Sequence, residues 1–283
     1  PRKAYTGTIG CFMPGGDFCL NVAIRTFICS GKKTELGIGS GIVADSDPAK
    51  EWDECLLKSN FANIRTPEFK VLETILWSEK RGFSKLEEHL RRARSSQEYF
   101  CRKWNGGNTF KALEKLQRFL SGGKIKNARV RLLVSEDGKA ETEYTELGKT
   151  GWHTDKLKLK LSRNRTSSKD VFLYHKTTNR KFYDDEFKKA HAEGFDEVIF
   201  RNEKGEITEG AISSIFVQKN RKWFTPALRC GLLPGIWRAG QICELSAQEA
   251  VLTVKDLEKA DRIIIGNSVR EGADAELSTH DCV

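Results

Sequence analysis

The chain has 283 residues, room for about two domains, and its 39% hydrophobic and 31% charged residues argue against both a disordered chain and a membrane protein. Lys and Arg total 48 against 39 Asp and Glu, a net of +9, which admits nucleic acid, anionic membrane or small anionic ligands as partners. The charge is unevenly placed: residues 1–62 hold seven basic and seven acidic side chains, so the whole excess of +9 belongs to residues 63–283. There is no apolar run long enough to cross a bilayer and no charged-then-apolar signal segment, so a cytoplasmic chain is expected. Starting at Pro1 without Met, it reads as a piece cut from something longer. Its eight cysteines lack a C-x-x-C pair, which predicts reduced, mostly buried thiols rather than a zinc site or a disulfide framework.

In chain order, Asn21 to Phe27 reads as a strand, followed by a turn at Ser30 to Lys33 and a second strand entering the glycine-punctuated stretch Gly37 to Val43. After Asp47-Pro48, the apolar positions Trp52, Cys55, Leu56 and Phe61 recur at helical intervals, with Glu54 and Lys58 four apart on one face. The periodicity lapses from Ser59 to Glu68, which places a domain boundary there. A strand follows at Phe69 to Trp77. Ser84 and Glu87 have the spacing of a capping box for a helix carrying Leu86, Leu90, Ala93 and Phe100. A further helix, Phe110 to Leu120, stops at Gly122-Gly123, and Asn127 to Ser135 with Ala140 to Leu147 predicts a hairpin. Lys156 to Leu161 alternates Lys and Leu as a half-buried strand does. Beyond Ser168, a helix at Asp184 to Glu193, strands at Glu197 to Arg201, near Ile207, at Ser214 to Val217, near Trp223 and at Arg262 to Ile265, and a helix starting near Gly235 complete an α+β pattern.

The run from Lys156 to Lys181 holds nine Lys or Arg and one acid, Asp170. Its densest part, Lys156 to Lys169, has no interleaved aromatic residues for stacking on bases, so a solvated strand face explains it better than a nucleic-acid surface. Within it, Lys176 follows an apolar trio and precedes two threonines. Desolvation there would lower its pKa and make it a usable nucleophile.

Five motifs then stand in order: H-L-R-R with Arg92, H-K-T-T-N-R with Lys176, I-T-E-G-A-I-S-S-I-F with Glu209, G-L-L-P-G-I-W-R from Gly231 to Arg238, and G-N-S-V-R with Asn267 and Ser268. Together they resemble the fold-type IV pyridoxal-phosphate enzymes, which include 4-amino-4-deoxychorismate lyase, branched-chain aminotransferases and D-amino-acid aminotransferase. The resemblance implies a two-subdomain enzyme, residues 66–168 and 169–283, with Lys176 as the Schiff-base lysine and proton shuttle. It implies that Glu209 bonds the pyridine nitrogen, and that Arg92, the Ile236 and Trp237 N–H groups and Ser268 hold the cofactor phosphate. Arg180, Arg221, Arg238 and Arg270 are all candidates for binding substrate carboxylates. Taken singly, Arg92 could equally be a helix-surface cation, Glu209 a hairpin residue and Ser268 a cap.

Residues 1–62 carry Y-T-G-T-I-G, V-A-I-R-T, G-I-G-S-G-I-V-A-D-S and E-W-D-E-C-L-L-K. These resemble the C-terminal end of the chorismate-binding enzymes, such as the component I chains of aminodeoxychorismate synthase and anthranilate synthase. The resemblance implies a remnant chorismate site at Arg25, Gly39, Gly41 and Lys58, with Glu54 as a magnesium ligand. Because the upstream part of such a domain is missing, an incomplete site and no synthase activity are expected. The pairing of the two regions resembles fusions of aminodeoxychorismate synthase component I with the lyase, and implies a folate-pathway lyase, a homodimer and a glutamine amidotransferase partner for a full-length synthase half. A same-fold aminotransferase and a non-catalytic fusion fragment are the alternatives.

Overall fold

The computed structural model describes residues 2–63, 67–148, 150–154 and 156–278. The chain divides into two compact units, up to Pro67 and from Glu68 onward.

In the first unit, β1 (Thr8–Phe12) and β2 (Phe18–Val22) form one antiparallel pair, and β3 (Phe27–Ser30) and β4 (Lys33–Leu36) another. Helix α1 (Pro48–Ser59) starts where the Asp47 carboxylate accepts the Ala49 and Lys50 N–H groups, with Pro48 at its first position. The single strand expected over Asn21–Phe27 is two strands, because the chain turns at Arg25, whose φ is +50°. Gly37–Val43 is irregular rather than a strand. Gly37 instead lies against the Tyr5 ring, where a Cβ would approach within 2.5 Å.

The second unit has two sheets. β5 (Val71–Ser78), β6 (Gly82–Phe83), β7 (Asn127–Val134) and β8 (Ala140–Glu146) form an antiparallel four-stranded sheet in the order β6-β5-β7-β8. Helices α2 (Leu86–Tyr99) and α3 (Gly106–Gly122) pack on it through Val71, Leu90, Ala93, Leu113, Leu132 and Val134. Asn105 caps α3 by accepting the Asn108 N–H. The capping box expected at Ser84 does not form. Helix α2 follows Lys85 in the left-handed region, since the chain must first leave the β6 hairpin.

The other sheet has eight strands: β9 (Lys156–Thr166), β10 (Glu197–Asn202), β11 (Ile207–Gly210), β12 (Ser214–Lys219), β13 (Lys222–Pro226), β14 (Gln248–Ala250), β15 (Arg262–Asn267) and β16 (Glu271–Leu277). Their spatial order is β11-β10-β9-β16-β15-β12-β13-β14. Helices α4 (Lys181–Ala192), α5 (Ile236–Glu244) and α6 (Val254–Glu258) accompany it. The Lys/Leu alternation has the expected consequence. Leu157, Leu159 and Leu161 lie in the core, while Lys156 pairs with Glu276 and Lys160 with Glu193. Since β9 pairs with β10 and β16, it belongs to the large sheet. The division between the sheets therefore falls between β8 and β9, upstream of the expected break at 168.

The thiols depart from expectation. Cys230 is buried and Cys55 intermediate, but Cys11, Cys19, Cys29, Cys101 and Cys243 are exposed, three of those five in a first unit that encloses little. Cys282 lies outside the described residues.

Candidate active site

A cavity of about 660 Å³ opens between the two sheets of the second unit, within the size range of small-molecule sites. Lys176 reaches it from an extended segment that follows a short helical turn at Val171–Tyr174. Main-chain bonds tie that segment to β5: the Leu72 N–H donates to the Lys176 carbonyl (2.9 Å), and Thr177 bridges Val71. The ammonium is disfavoured first by burial and then by the nearby Arg180 and Arg92 charges, so its pKa falls to about 7 despite Glu73 and Glu209. An amine in that range is largely neutral slightly above neutrality and can act as a nucleophile or accept a proton.

Glu209, 9% exposed, stands near the end of β11 and also lines the cavity. Burial raises its carboxyl to about 7, against the pull of the Leu233 N–H, Lys176, Arg180 and the Tyr183 hydroxyl. The Leu233 N–H donates to Oε2 at 3.2 Å and the Tyr183 O–H to Oε1 at 3.4 Å. Burial and Glu209 together push the Tyr183 phenol well above its ordinary value, which keeps it a donor.

Arg92 is held as part of a buried triad. Its Nε and Nη2 donate to the two oxygens of Glu73 (2.9 and 2.6 Å), and Nη1 donates to the Pro234 carbonyl (3.1 Å). His89 Nδ1 lies 2.7 Å from the same carboxylate. Burial would raise the Glu73 carboxyl, but Arg92 and then His89 outweigh it and hold it at about 2. Glu73 was not legible as a site residue, although a Glu inside the apolar run V-L-E-T-I-L-W signals a buried, paired group.

The Pro234 contact aims Arg92 at the start of α5, where Gly235 precedes Ile236 and Trp237. The first N–H groups of a helix lack intrahelical partners and carry partial positive charge. A Cβ on Gly235 would come within 2.9 Å of Ser214 Oγ. Ser268 lies in the β15–β16 turn, which Asn267 shapes: its Oδ1 accepts the Val269 and Arg270 N–H groups, and its Nδ2 donates to the Ile212 carbonyl. Arg92, Lys176, Glu209, Ile236, Trp237 and Ser268 thus all line one cavity.

The four arginine candidates separate. Arg180 and Arg270 line the cavity. Arg180 is fixed by Asp184 and the Ala211 carbonyl, and Arg270 lies over the Trp152 ring at 4.8 Å. Arg238 does not face it as a free cation. It is 3% exposed and bound to Glu249 and the Pro226 carbonyl. Arg221 sits at the β12–β13 turn, outside the cavity lining. Arg129, Arg131 and Arg165 also line the cavity and were missed. Arg129 and Arg131 alternate on β7, a pattern that by itself suggests only a solvated face.

In the first unit, Lys58 pairs with Glu54 (2.6 Å) and donates to the Gly39 carbonyl (3.4 Å). Arg25 and Gly41 are exposed, and Gly39 is half-buried beside Tyr5. Among the described residues no group of three or more His, Cys, Asp or Glu is placed to hold a metal ion, and Glu54 has Lys58 as its partner instead. Nor is any described helix long and apolar enough to cross a membrane.

The model of the amino-transferase class IV family matches residues 70–275, and that of the chorismate binding enzymes matches residues 1–63. An aminodeoxychorismate synthase from Streptomyces griseus is 36% identical over 74 residues, 26% of this chain and 9% of that protein. The chain spans less than a tenth of the length of this and the rice relative it matches. A Schizosaccharomyces pombe protein named "Putative aminodeoxychorismate lyase" is 26% identical over 196 residues, 66% of this chain and 80% of its own. Among solved structures, a "Putative amino-acid aminotransferase" from Mesorhizobium loti superposes with a TM-score of 0.69 at 30% identity, covering 75% of this chain and all of the other. A "Putative 4-amino-4-deoxychorismate lyase" from Legionella pneumophila gives 0.66 at 20% identity, with 74% and 83% covered. "A hypothetical aminotransferase" from Mycobacterium tuberculosis, in its PLP-bound form, gives 0.64 at 18% identity, with 76% and 83% covered.

Proposed function

Given that the chain belongs to the amino-transferase class IV family, matched over residues 70–275, we propose that its second unit is a pyridoxal-phosphate lyase that converts 4-amino-4-deoxychorismate to 4-aminobenzoate and pyruvate. The observation that carries this reading is the joining, in one chain, of a class IV unit to a chorismate-binding segment whose relatives include aminodeoxychorismate synthases. The cationic wall supplied by Arg129, Arg131, Arg165, Arg180 and Arg270 suits a substrate with two carboxylates.

The residues present fit the cofactor. Lys176 offers an amine depressed to about 7, Glu209 a carboxyl across the cavity, and Arg92 with the bare N-terminus of α5 a phosphate cradle in which Gly235 leaves no side chain in the way. Bound there, pyridoxal phosphate supplies an electron sink for the substrate carbon that carries the amine. Lys176 Nζ takes the proton from C4 of the ring. The C–O bond between ring C3 and the enolpyruvyl oxygen breaks, so that the carbocycle becomes aromatic, and the departing enolpyruvate takes up a proton on its methylene carbon, matching the one removed from C4, to become pyruvate. Glu209 holds the pyridine nitrogen through its carboxylate, Arg92, Ile236, Trp237 and Ser268 hold the phosphate, and Arg180 and Arg270 orient the carboxylates. The remnant chorismate contacts Arg25, Gly39, Gly41, Lys58 and Glu54 take no part in this reaction, and magnesium belongs to a complete synthase unit. We further propose a cytoplasmic homodimer and, for a full-length synthase half, an amidotransferase partner.

Purified protein given 4-amino-4-deoxychorismate is expected to release 4-aminobenzoate and pyruvate in equal amounts. Transfer of an amino group from an amino acid to a keto acid, with no aminobenzoate formed, would overturn the lyase in favour of an aminotransferase, the reading that the 30% identity to the Mesorhizobium loti structure favours.

A further inference from the structure

Beneath the turn that joins β11 to β12 lies a further buried carboxylate, Glu197, which is 0% exposed. It stands at the start of β10, and it is not one of the residues that line the cavity. Four donors converge on it. Oε1 accepts the Val198 N–H (3.0 Å) and the Ala211 N–H (3.1 Å), and Oε2 accepts the Ile212 N–H (3.2 Å) and the Ser213 hydroxyl (2.6 Å). Gly210 makes the approach possible, since a Cβ there would stand 2.9 Å from Glu197 Oε2 and 2.3 Å from Ser213 Oγ.

The turn held in this way connects three parts of the site. It begins directly after Glu209. Its Ala211 carbonyl accepts Arg180 Nη2 at 2.9 Å, and its Ile212 carbonyl accepts Asn267 Nδ2 at 3.0 Å, the residue that shapes the Ser268 turn. A carbonyl can fix a side chain only as well as its own peptide plane is fixed, and the Ala211 and Ile212 N–H groups are both bound to one carboxylate. Building on the pyridoxal-phosphate reading above, we infer that Glu197 is a positioning residue of the site: its buried carboxylate sets the Gly210–Ser213 turn, and through that turn it fixes Glu209, Arg180 and the Asn267–Ser268 turn for cofactor binding.

The inference separates placement from stability. Replacing Glu197 by Gln keeps the volume but turns one acceptor oxygen into an amide donor facing the Ile212 N–H or the Ala211 N–H. Pyridoxal phosphate is titrated into the full-length apoprotein and followed by its visible absorbance, and the pH midpoint of that absorbance is measured in the loaded protein. Glu197→Gln is expected to weaken cofactor binding by about ten- to a hundredfold and to displace the pH midpoint. Ile199→Val, which trims a methyl group from the same strand, serves as the control. It lowers the melting temperature and leaves both readouts in place.

A folded Glu197→Gln variant with the wild-type dissociation constant and midpoint would overturn the inference. So would a variant whose losses match those of Ile199→Val at equal loss of melting temperature. Should Glu197→Gln fail to fold, Ser213→Ala decides the matter, because it removes one of the four donors and leaves the carboxylate. Weakened binding with a displaced midpoint supports the inference, and unchanged values overturn it. Wild-type protein that takes up no cofactor defeats the underlying reading. Wild-type protein that binds it while the variants bind equally well defeats the role of Glu197 alone.

Discussion

The segments before and after Pro67 both carry family motifs, yet they differ in what surrounds those motifs. Up to Pro67, Ala23 is the one buried hydrophobic among the described residues, while Phe12, Phe18, Trp52 and Leu57 are each more than 60% exposed. From Glu68 onward, contiguous clusters enclose Trp77, Leu132, Leu159, Phe200 and Phe216. The consequence for charged groups is direct. Glu54 and Lys58 satisfy each other as an i, i+4 pair open to solvent, where water screens the attraction. Lys176 and Glu209, walled by protein, have their proton affinities moved to about 7. Desolvation moves a lysine down and a carboxyl up only where a core excludes water around them.

Substituting the two lysines tests this contrast most severely. Lys176→Ala is expected to lower turnover by about 10² to 10⁴-fold and to abolish the visible absorbance of the loaded protein. Lys58→Ala, measured in the same assay, leaves both at the wild-type level. Retained absorbance and turnover in Lys176→Ala would falsify the central assignment.

The next effect is on stability. Glu73→Gln leaves Arg92 and His89 without their buried partner, and denaturant unfolding should show a loss of about 3–5 kcal/mol together with weakened cofactor binding. The Glu73 carboxyl lies at about 2 in the fold against 4.5 as a free group. Its depressed value gives a contribution that is present above pH 4.5 and lost as the pH falls towards 2, so the acid limb of the stability profile should flatten in the variant.

Packing gives a smaller but cleaner contrast. Leu159→Ala, at a fully buried position, is expected to cost about 2–5 kcal/mol, while Leu20→Ala, 43% exposed, should change stability by less than about 0.5 kcal/mol. Equal losses at the two positions would mean that the first unit has a core as effective as the second.

Smallest is the pH effect on Lys176. Only its neutral amine reacts, so the rate of covalent cofactor uptake should fall about tenfold per unit below pH 7 and level off above it. The Glu209→Gln variant removes the cavity carboxyl that burial raises to about 7 and keeps the assignment to Lys176 clean. A flat rate between pH 5 and 8 would show that the amine is neutral throughout, or not the reacting group.

Much of this architecture was readable from local pattern. The Lys/Leu alternation of β9 located a half-buried strand, and Asn127 to Leu147 declared a hairpin because its turn residues and alternation agree. What escaped depends on contacts distant in sequence. Ser84 has the spacing of a cap, but the preceding hairpin delivers the chain into Lys85 at a left-handed φ. Glu73 meets Arg92 only when β5 and α2 cross. Arg238 stands level with Arg180 and Arg270 as a candidate for the substrate carboxylates until Glu249 and the Pro226 carbonyl enclose it. The arginines of β7 gain meaning only when the large sheet closes the cavity over them. Lys176 and Glu209 were legible for another reason: each sits in a contiguous motif whose neighbours specify its setting.

The short extended segment that carries Lys176 has a mechanical consequence. It is bonded to the beginning of β5 and the residue before it, at the lysine and two residues beyond, with Leu72 N–H donating to Lys176 O and Thr178 N–H donating to Lys70 O, each at 2.9 Å. Lys176 therefore lies on the seam itself, and any hinge motion that parted the sheets along this line would first have to break those bonds. Traffic through the site is thereby restricted to the open mouth of the cavity, and the amide hydrogens of Leu72 and Thr178 should exchange with solvent as slowly as those of the core strands.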